Sequence, residues 1–131
     1  MVQKPNNIIK IPCSLSKDFF KLWFLFLKPF HKLTDREIDV ITRFLKLRFE
    51  LSKVITDNTI LDNVTMSKEN KKAIREECGL TLPHFQVIMS KLKKQKVIIN
   101  ERINPRFIPN IKENDSHFQL LLLFNNTDES Q

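Results

Sequence analysis

The chain has 131 residues, of which 41% are hydrophobic and 28% are charged, and it carries a net charge of +7 with a pI of about 9.6. A chain of this size and composition can bury a substantial core as one domain and is not typical of a disordered protein. Its single glycine, Gly79, excludes the glycine-rich phosphate loops of nucleotide-binding enzymes and indicates a mostly helical fold.

The two cysteines, Cys13 and Cys78, stand far apart and form no C-x-x-C pair. Free thiols in a reducing compartment are the favoured interpretation, and a disulfide is the alternative. The segment from Met1 to Asp18 is polar and mixed and has no small-residue cleavage site after it, so no signal peptide is expected.

The first predicted elements are a short extended stretch at Ile8–Ile11 and an apolar helix over residues 19–27. Ser14 or Ser16 is expected to cap this helix, and Pro29 is expected to end or kink it. Eight of its nine residues are apolar, but a membrane span takes about 20, so no membrane contact is expected. A helix that is apolar all round must be covered, either by its own domain or by a partner.

A clear helix start follows at Thr34, which forms a capping box with Glu37. Apolar residues then recur at helical spacing, which predicts a helix from Asp35 to about Ser52. The inner positions are Ile38, Ile41, Phe44 or Leu45, and Arg48 or Phe49. Residues 53–66 contain only two short apolar pairs and are predicted to form a polar connector.

Two further helices are predicted on either side of Gly79, which ends the first as a left-handed C-cap. Ser67 caps the first helix, and Ala73, Ile74 and Cys78 are expected on its inner face. Thr81 caps the second helix, with Pro83 in its first turn. The second helix is expected to bury Leu82, Phe85, Ile88 or Met89, and Leu92, and to expose His84, Val87, Lys91 and Lys94.

A strand is predicted at Val97–Ile99, followed by a turn at Asn100 and Glu101 and a returning strand at Arg102–Ile103. The next segment, "NPRFIPN", is expected to be extended and fixed by its prolines. Residues 118–124, "FQLLLLF", have the length of a strand, and the domain or a partner is expected to bury them. The polar tail after them is expected to be loose in isolation.

The positive charge is concentrated in one part of the chain. Between Thr81 and Lys112 the cations exceed the acids by six, because Glu101 is the single acid there. The candidate nucleic-acid contacts are His84, Lys91, Lys93, Lys94, Lys96, Arg102 and Arg106. Lysines can neutralise phosphates, but the alternative is a solvated helix end whose cations complement the helix dipole.

The order of helix, glycine turn, helix and two strands resembles a winged helix-turn-helix domain over residues 33–104. The resemblance lies in "LTDREIDVI" and in "IREECGLTLPHFQVIMSKLKKQKVI". It departs from DNA-reading members because Pro83, His84 and Val87 stand where hydrogen-bonding side chains read bases. Lys96 also replaces the usual glycine after the second helix, and Glu101 makes the tip of the wing acidic.

The chain as a whole resembles small virion-associated proteins of crAss-like tailed phages. The likeness lies in its richness in Lys, Asn and Ile, in "KLTDREIDVITRFL" and in "ERINPRFIPNI". It implies a structural subunit of the ring or neck near the portal, in contact with copies of itself, with other phage structural proteins and, as an option, with DNA. The residues expected at protein interfaces are Phe19, Trp23, Phe26, Val87, Phe118, Leu120 and Leu122.

The predicted fold is therefore mainly α with a small β wing. An N-terminal extension with the apolar helix (residues 1–32) precedes a winged helix-turn-helix-like core (33–104) and a C-terminal extended arm with a strand (105–131). The predicted location is the virion, assembled in the host cytoplasm. The alternative function is a free winged-helix transcriptional regulator in the cytoplasm.

Enzymatic and cofactor chemistry has no support in the sequence. The three histidines, His31, His84 and His117, lack metal-ligand spacing, and nothing resembles a nucleophile elbow. No cofactor and no small-molecule substrate are expected. The aromatic residues around Trp23 could form a stacking platform for single strands, but a core or subunit interface is the favoured interpretation.

Overall fold

The computed structural model describes residues 8–128, which form helices and one two-stranded antiparallel sheet. This confirms a mainly α fold with a small β element. Residues 1–7 and 129–131, which belong to the predicted extensions, lie outside the described residues. The elements are α1 Phe19–Phe26, α2 Lys28–His31, α3 Asp35–Ser52, α4 Asn58–Thr65, α5 Lys68–Glu77, α6 Leu82–Lys94, β1 Ile98–Ile99, β2 Arg102–Ile103 and a 3₁₀ turn at Pro105–Phe107.

Helix α3 is the centre of the fold and contacts α1, α4, α5 and α6. Its predicted bounds and capping box are confirmed. The Thr34 N–H donates to the Glu37 carboxylate over 2.9 Å, and the Thr34 hydroxyl accepts from the Glu37 N–H over 3.3 Å. The predicted inner residues Ile38, Ile41, Phe44 and Leu45 are fully buried, and Val40, which was not predicted, is buried with them.

Helix α1 packs one face into this core, burying Phe19, Phe20, Trp23 and Phe24. The prediction of a serine cap was wrong. Asp18 is the N-cap residue, and its carboxylate accepts from the Ser14 N–H over 2.6 Å to close the preceding turn. Pro29 lies in the first turn of α2, so the chain starts a second short helix directly after the first.

Phe19 and Trp23, which were predicted at a protein interface, lie in the core of the described chain. Both side chains are buried within their own chain, and the Trp23 indole N–H donates to the Phe107 carbonyl over 2.8 Å. The chain after the ribbon therefore helps to cover α1. Phe26, the last residue of α1, is 47% exposed, so it remains available to a partner.

The predicted connector over residues 53–66 is in fact interrupted by helix α4. Asp57 caps this helix by accepting from the Ile60 N–H over 3.1 Å, and Leu61 anchors it in the core. The helix was missed because Asp, Asn and Thr have low helix propensity and its apolar positions are too few to show a period. Tertiary packing against α3 decides its conformation instead.

Helices α5 and α6 both end in a Schellman motif, in which a left-handed residue turns the chain away from the helix. After α5 this residue is Gly79, whose N–H bonds to the Glu76 carbonyl while the Leu80 N–H bonds to the Arg75 carbonyl. After α6 the same pair of bonds forms around Lys96, at a φ of 60°. The expected strained lysine at a glycine position is thus confirmed. Of the predicted inner residues, Leu82 and Ala73 are instead exposed. Leu82 is the first residue of α6, and Ala73 lies about 100° around α5 from the buried Ile74.

The predicted hairpin is confirmed, with Ile98 opposite Ile103 and Ile99 opposite Arg102. Its two turn residues, Asn100 and Glu101, both have left-handed backbones, at φ of 51° and 58°. This is the geometry of the tight turns that match the twist of a two-stranded ribbon. The expected extended "NPRFIPN" segment instead opens with the 3₁₀ turn, which places Phe107 in the core beside Phe24.

Residues 118–124, all of which are described, form no strand, so the predicted strand and its burial by the domain were wrong. Phe118 packs edge-on against Phe19 and Trp23, with ring centroids 5.5 and 5.4 Å apart. Beyond it the chain leaves the core surface, and Leu121 and Phe124 are 78% and 93% exposed. We call residues 118–124 the C-terminal arm.

Candidate nucleic-acid interface

The outer face of α6 is placed as predicted. The side chains of His84, Val87 and Lys94 are exposed, and that of Lys91 is half-buried. Val87 is 67% exposed and has no polar atom in its side chain, so it can contribute a methyl contact but no hydrogen bond to a base. This face can hold phosphates, and it offers little for reading a base sequence.

The remaining predicted cations do not form one cluster. Lys96 and Arg106 are exposed, the first at the end of α6 and the second in the 3₁₀ turn. Arg102 points back towards α4, where its guanidinium lies 3.9 Å from the Asp62 carboxylate. It lines a different groove from Lys93, so the predicted set is divided between two surfaces.

A basic groove lies between α5 and α6, with a volume of about 710 Å³. Its cations are Lys68, Lys71, Lys72 and Arg75 on α5, and Lys93 on α6. Its remaining lining residues are Leu82, Phe85, Gln86, Met89 and Ser90, so the lining contains no acidic residue. We call this surface the α5–α6 groove.

The four cations of α5 were not predicted, because the net charge along the chain does not show them. Helix α5 also contains three glutamates and therefore looks almost neutral in a linear count. The spacing from Lys68 to Arg75 is i, i+3, i+4 and i+7, which places all four cations on one helical face. One of the acids, Glu77, lies elsewhere, paired with Arg43 of α3 over 3.1 Å.

One acidic side chain reaches the groove from the tip of the ribbon. The Glu101 carboxylate lies 3.2 Å from the Lys93 ammonium and 3.6 Å from the Lys71 ammonium, so it joins both helices. The hydrogen bond from Lys93, together with the nearby positive charges, holds the pKa of Glu101 below its usual value. The acidic tip that the sequence showed thus pairs with two cations of the groove, although it is not part of the lining.

A second groove, of about 530 Å³, is lined by residues of α3 and α4 and by the segment that follows the ribbon. Its charged centre is Asp62, which pairs with Arg48 over 2.9 Å, and both side chains are largely buried. Arg102 adds a second, longer contact to the same carboxylate. Because the acid and its cations satisfy one another, we interpret this group as a structural link between α3, α4 and the ribbon.

His31 is a buried residue whose role the sequence did not show. Its Nε2 donates to the Phe24 carbonyl over 2.7 Å, and its Nδ1 accepts from the Leu33 N–H over 3.0 Å. Both partners are backbone groups at the junction of α1, α2 and α3. Burial lowers the pKa of His31, which favours the neutral ring that this bonding pattern requires.

Both cysteines are free thiols, as predicted. Cys13 is exposed, whereas Cys78 packs partly against the core, and burial raises the pKa of its thiol. Between residues 8 and 128 no group of three or more His, Cys, Asp or Glu side chains could hold a metal ion. No helix in the same range is long and apolar enough to cross a bilayer.

In comparisons with known proteins, the chain matches no protein-family model, no curated protein and no solved structure.

Proposed function

We propose that this chain is a non-enzymatic subunit of a larger assembly, of the kind that its sequence resemblance places in the virion of a tailed phage. The observation that carries the proposal is the C-terminal arm. Its root is held by Phe118, while the five residues that follow Gln119 are all apolar and all exposed, from Leu120 to Phe124. An apolar run of this kind outside the core marks a contact site for another protein.

The energy available to such a contact is large. Burying one Leu or Phe side chain contributes about 1.5–3 kcal/mol, so the five side chains together offer roughly 7–15 kcal/mol before the cost of ordering the arm. Several apolar residues near the start of the described chain are also exposed and could take part in such contacts. They are Ile8, Ile9, Ile11, Leu25, Phe26 and Phe30.

The proposed interface therefore differs from the predicted one. Phe26, Val87, Leu120 and Leu122 are exposed and remain in it. Phe19 and Trp23 are replaced by Leu121, Leu123 and Phe124, whose exposure is greater. Phe118 is the anchor of the arm and is only partly accessible. The partners are copies of this chain or other structural proteins of the particle.

The test is the assembly state of a double variant, Leu121→Asp with Leu123→Asp. Both side chains are more than two-thirds exposed, so the variant should fold normally. A matched control is Val54→Asp, which changes an apolar side chain of 79% exposure that lies near the end of α3. Light scattering after gel filtration should show oligomers for the wild type and the control and monomers for the double variant. A wild type that is monomeric in solution and absent from purified particles would refute the proposal.

A second candidate function, duplex DNA binding, is favoured by the exposed cations of α6 and by the α5–α6 groove. It applies either to a DNA-facing subunit or to a free regulator. Titration of labelled random and selected duplexes separates the two, because nanomolar, sequence-selective binding is expected of a regulator alone. Weak binding that does not depend on sequence and falls steeply with salt fits a structural subunit.

A further inference from the structure

The charged tip of the ribbon has a position that the backbone fixes. Asn100 and Glu101 are both left-handed, and the register on either side of them is set by the pairing of Ile99 with Arg102. A left-handed backbone is unfavourable for glutamate, because this conformation costs about 1–2 kcal/mol for residues other than glycine. What Glu101 gains here is contact with Lys71 and Lys93 across the mouth of the groove.

We propose that the α5–α6 groove binds the phosphate backbone of duplex DNA and that Glu101 is an internal counter-ion which the DNA must displace. This inference rests on the second candidate function, DNA binding. It assigns that binding to a different surface from the outer face of α6 and adds a residue that restrains it.

The extent of the positive surface fits a polyanion better than a single anion. The cations of α5 lie within eight residues, or about 10 Å of helix, and α6 is about 20 Å long. A lone phosphate needs only two or three donors. Duplex DNA presents one charge per roughly 1.7 Å of its axis, so several phosphates can meet this row of cations at once.

The contacts of Glu101 are weak enough to be exchanged. Its side chain is 64% exposed, and its two lysine partners are 49% and 30% exposed. Ion pairs this accessible contribute little to stability, because water screens them. A phosphate can therefore replace the carboxylate at both lysines. Another acid, Glu76, lies 4.0 Å from Lys72 on the same helix and does not bridge the two helices.

The experiment measures binding of the full chain to a labelled duplex of random sequence by fluorescence anisotropy. Glu101→Gln removes the carboxylate and keeps the shape of the side chain, so it should bind about three- to tenfold more tightly than the wild type. The matched control is Glu113→Gln, which changes the net charge equally but lies at Lys53, outside the groove. Its affinity should stay within about twofold of the wild type.

A second readout separates competition from a structural effect on the ribbon. If Lys71 and Lys93 become free for phosphates, the plot of log affinity against log salt should steepen by about one to two units in Glu101→Gln. Lys71→Gln in the wild type should weaken binding and make the slope shallower. Circular dichroism melting confirms that each variant is folded, and a change of fold alone would not steepen the slope.

The possible outcomes decide between the proposals. Tighter binding and a steeper slope for Glu101→Gln, with Glu113→Gln unchanged, support the inference. An equal gain in affinity in both variants would show that net charge alone causes the effect, and this result overturns the inference. Wild-type binding that Glu101→Gln leaves unchanged or weakens overturns the inference and keeps DNA binding. Absence of duplex binding by every variant at low salt, or binding to anionic lipid vesicles instead, overturns both.

Discussion

Replacing His31 by leucine should destabilise the fold by about 1–4 kcal/mol. The ring is fully buried and serves two backbone groups, the Phe24 carbonyl at 2.7 Å and the Leu33 N–H at 3.0 Å. Leucine leaves both groups buried without a partner, at roughly 1–3 kcal/mol each. Its larger apolar surface offsets about 1–2 kcal/mol of this loss. The loss should appear as a lower midpoint in urea with an unchanged slope.

The wild type should also lose stability in mild acid, and the leucine variant should lose less. The pKa of His31 lies below its usual value of 6.5 in the folded chain, because burial and the Lys28 charge disfavour the cation. The unfolded chain therefore binds a proton first as the pH falls, and stability present above pH 6.5 decreases below it. When the pH falls from about 7.5 to about 5.5, the wild type can lose up to about 1.4 kcal/mol more unfolding free energy than the leucine variant.

The assay is urea unfolding of both proteins at the two pH values, followed by tryptophan fluorescence. Trp23 is buried in the core, so its emission reports unfolding of the same region. Other titrating groups are present in both proteins and cancel in the comparison. If the wild type and the leucine variant lose the same stability on acidification, the neutral, doubly bonded histidine described above is refuted.

Three other changes have outcomes that the structure defines. Asp62→Asn should lower the free energy of unfolding by about 2 kcal/mol, because it leaves the largely buried Arg48 guanidinium unpaired. Asp39→Asn, which removes an exposed ion pair with Lys21, should lower it by less than about 1 kcal/mol. Urea unfolding of the two variants compares these losses. Lys96→Gly should raise the free energy of unfolding by about 1 kcal/mol, because glycine adopts the left-handed C-cap without strain, and an unchanged melting temperature would contradict this. A thiol reagent should modify exposed Cys13 well before Cys78, whose thiol is partly buried and has a raised pKa; equal rates would contradict this placement.

Local signals in the sequence predicted much of the fold. The capping box at Thr34, the serine cap of α5 and the threonine cap of α6 each fixed a helix start to the residue. Gly79 fixed an end in the same way. These features were predictable because the bonds that form them join residues three to five positions apart.

Features that depend on distant parts of the chain were not predictable. Helix α4 forms because α3 and the ribbon hold it, although its own residues favour other conformations. The C-terminal arm has the composition of a strand but pairs with neither outer edge of the two-stranded sheet, and Phe118 packs against α1 instead. The burial of His31 likewise follows from how three helices meet at one junction.

Of the two basic surfaces, the sequence predicted the outer face of α6 but not the α5–α6 groove. The outer face of α6 followed from its helical period: His84, Val87 and Lys94 are exposed as expected, whereas Lys91 is half-buried. The cations of α5 were hidden by the three glutamates of the same helix, and only a count by helical face would have found them. The position of Glu101 over the groove depends on the fold of the ribbon, so no local pattern could show that it pairs with Lys71.

The anchoring of Phe118 on Phe19 and Trp23 ties the last part of the described chain to the first helix. A force on the tip of the arm is therefore transmitted to α1, and the arm loses its anchor when α1 unfolds. The two effects are thermodynamically linked. A neighbour that binds the anchored arm stabilises the folded α1 by the same free energy by which the folded α1 increases the affinity of that neighbour for the arm. A neighbour of this kind discriminates between a fully folded subunit and one whose opening helix has not yet docked.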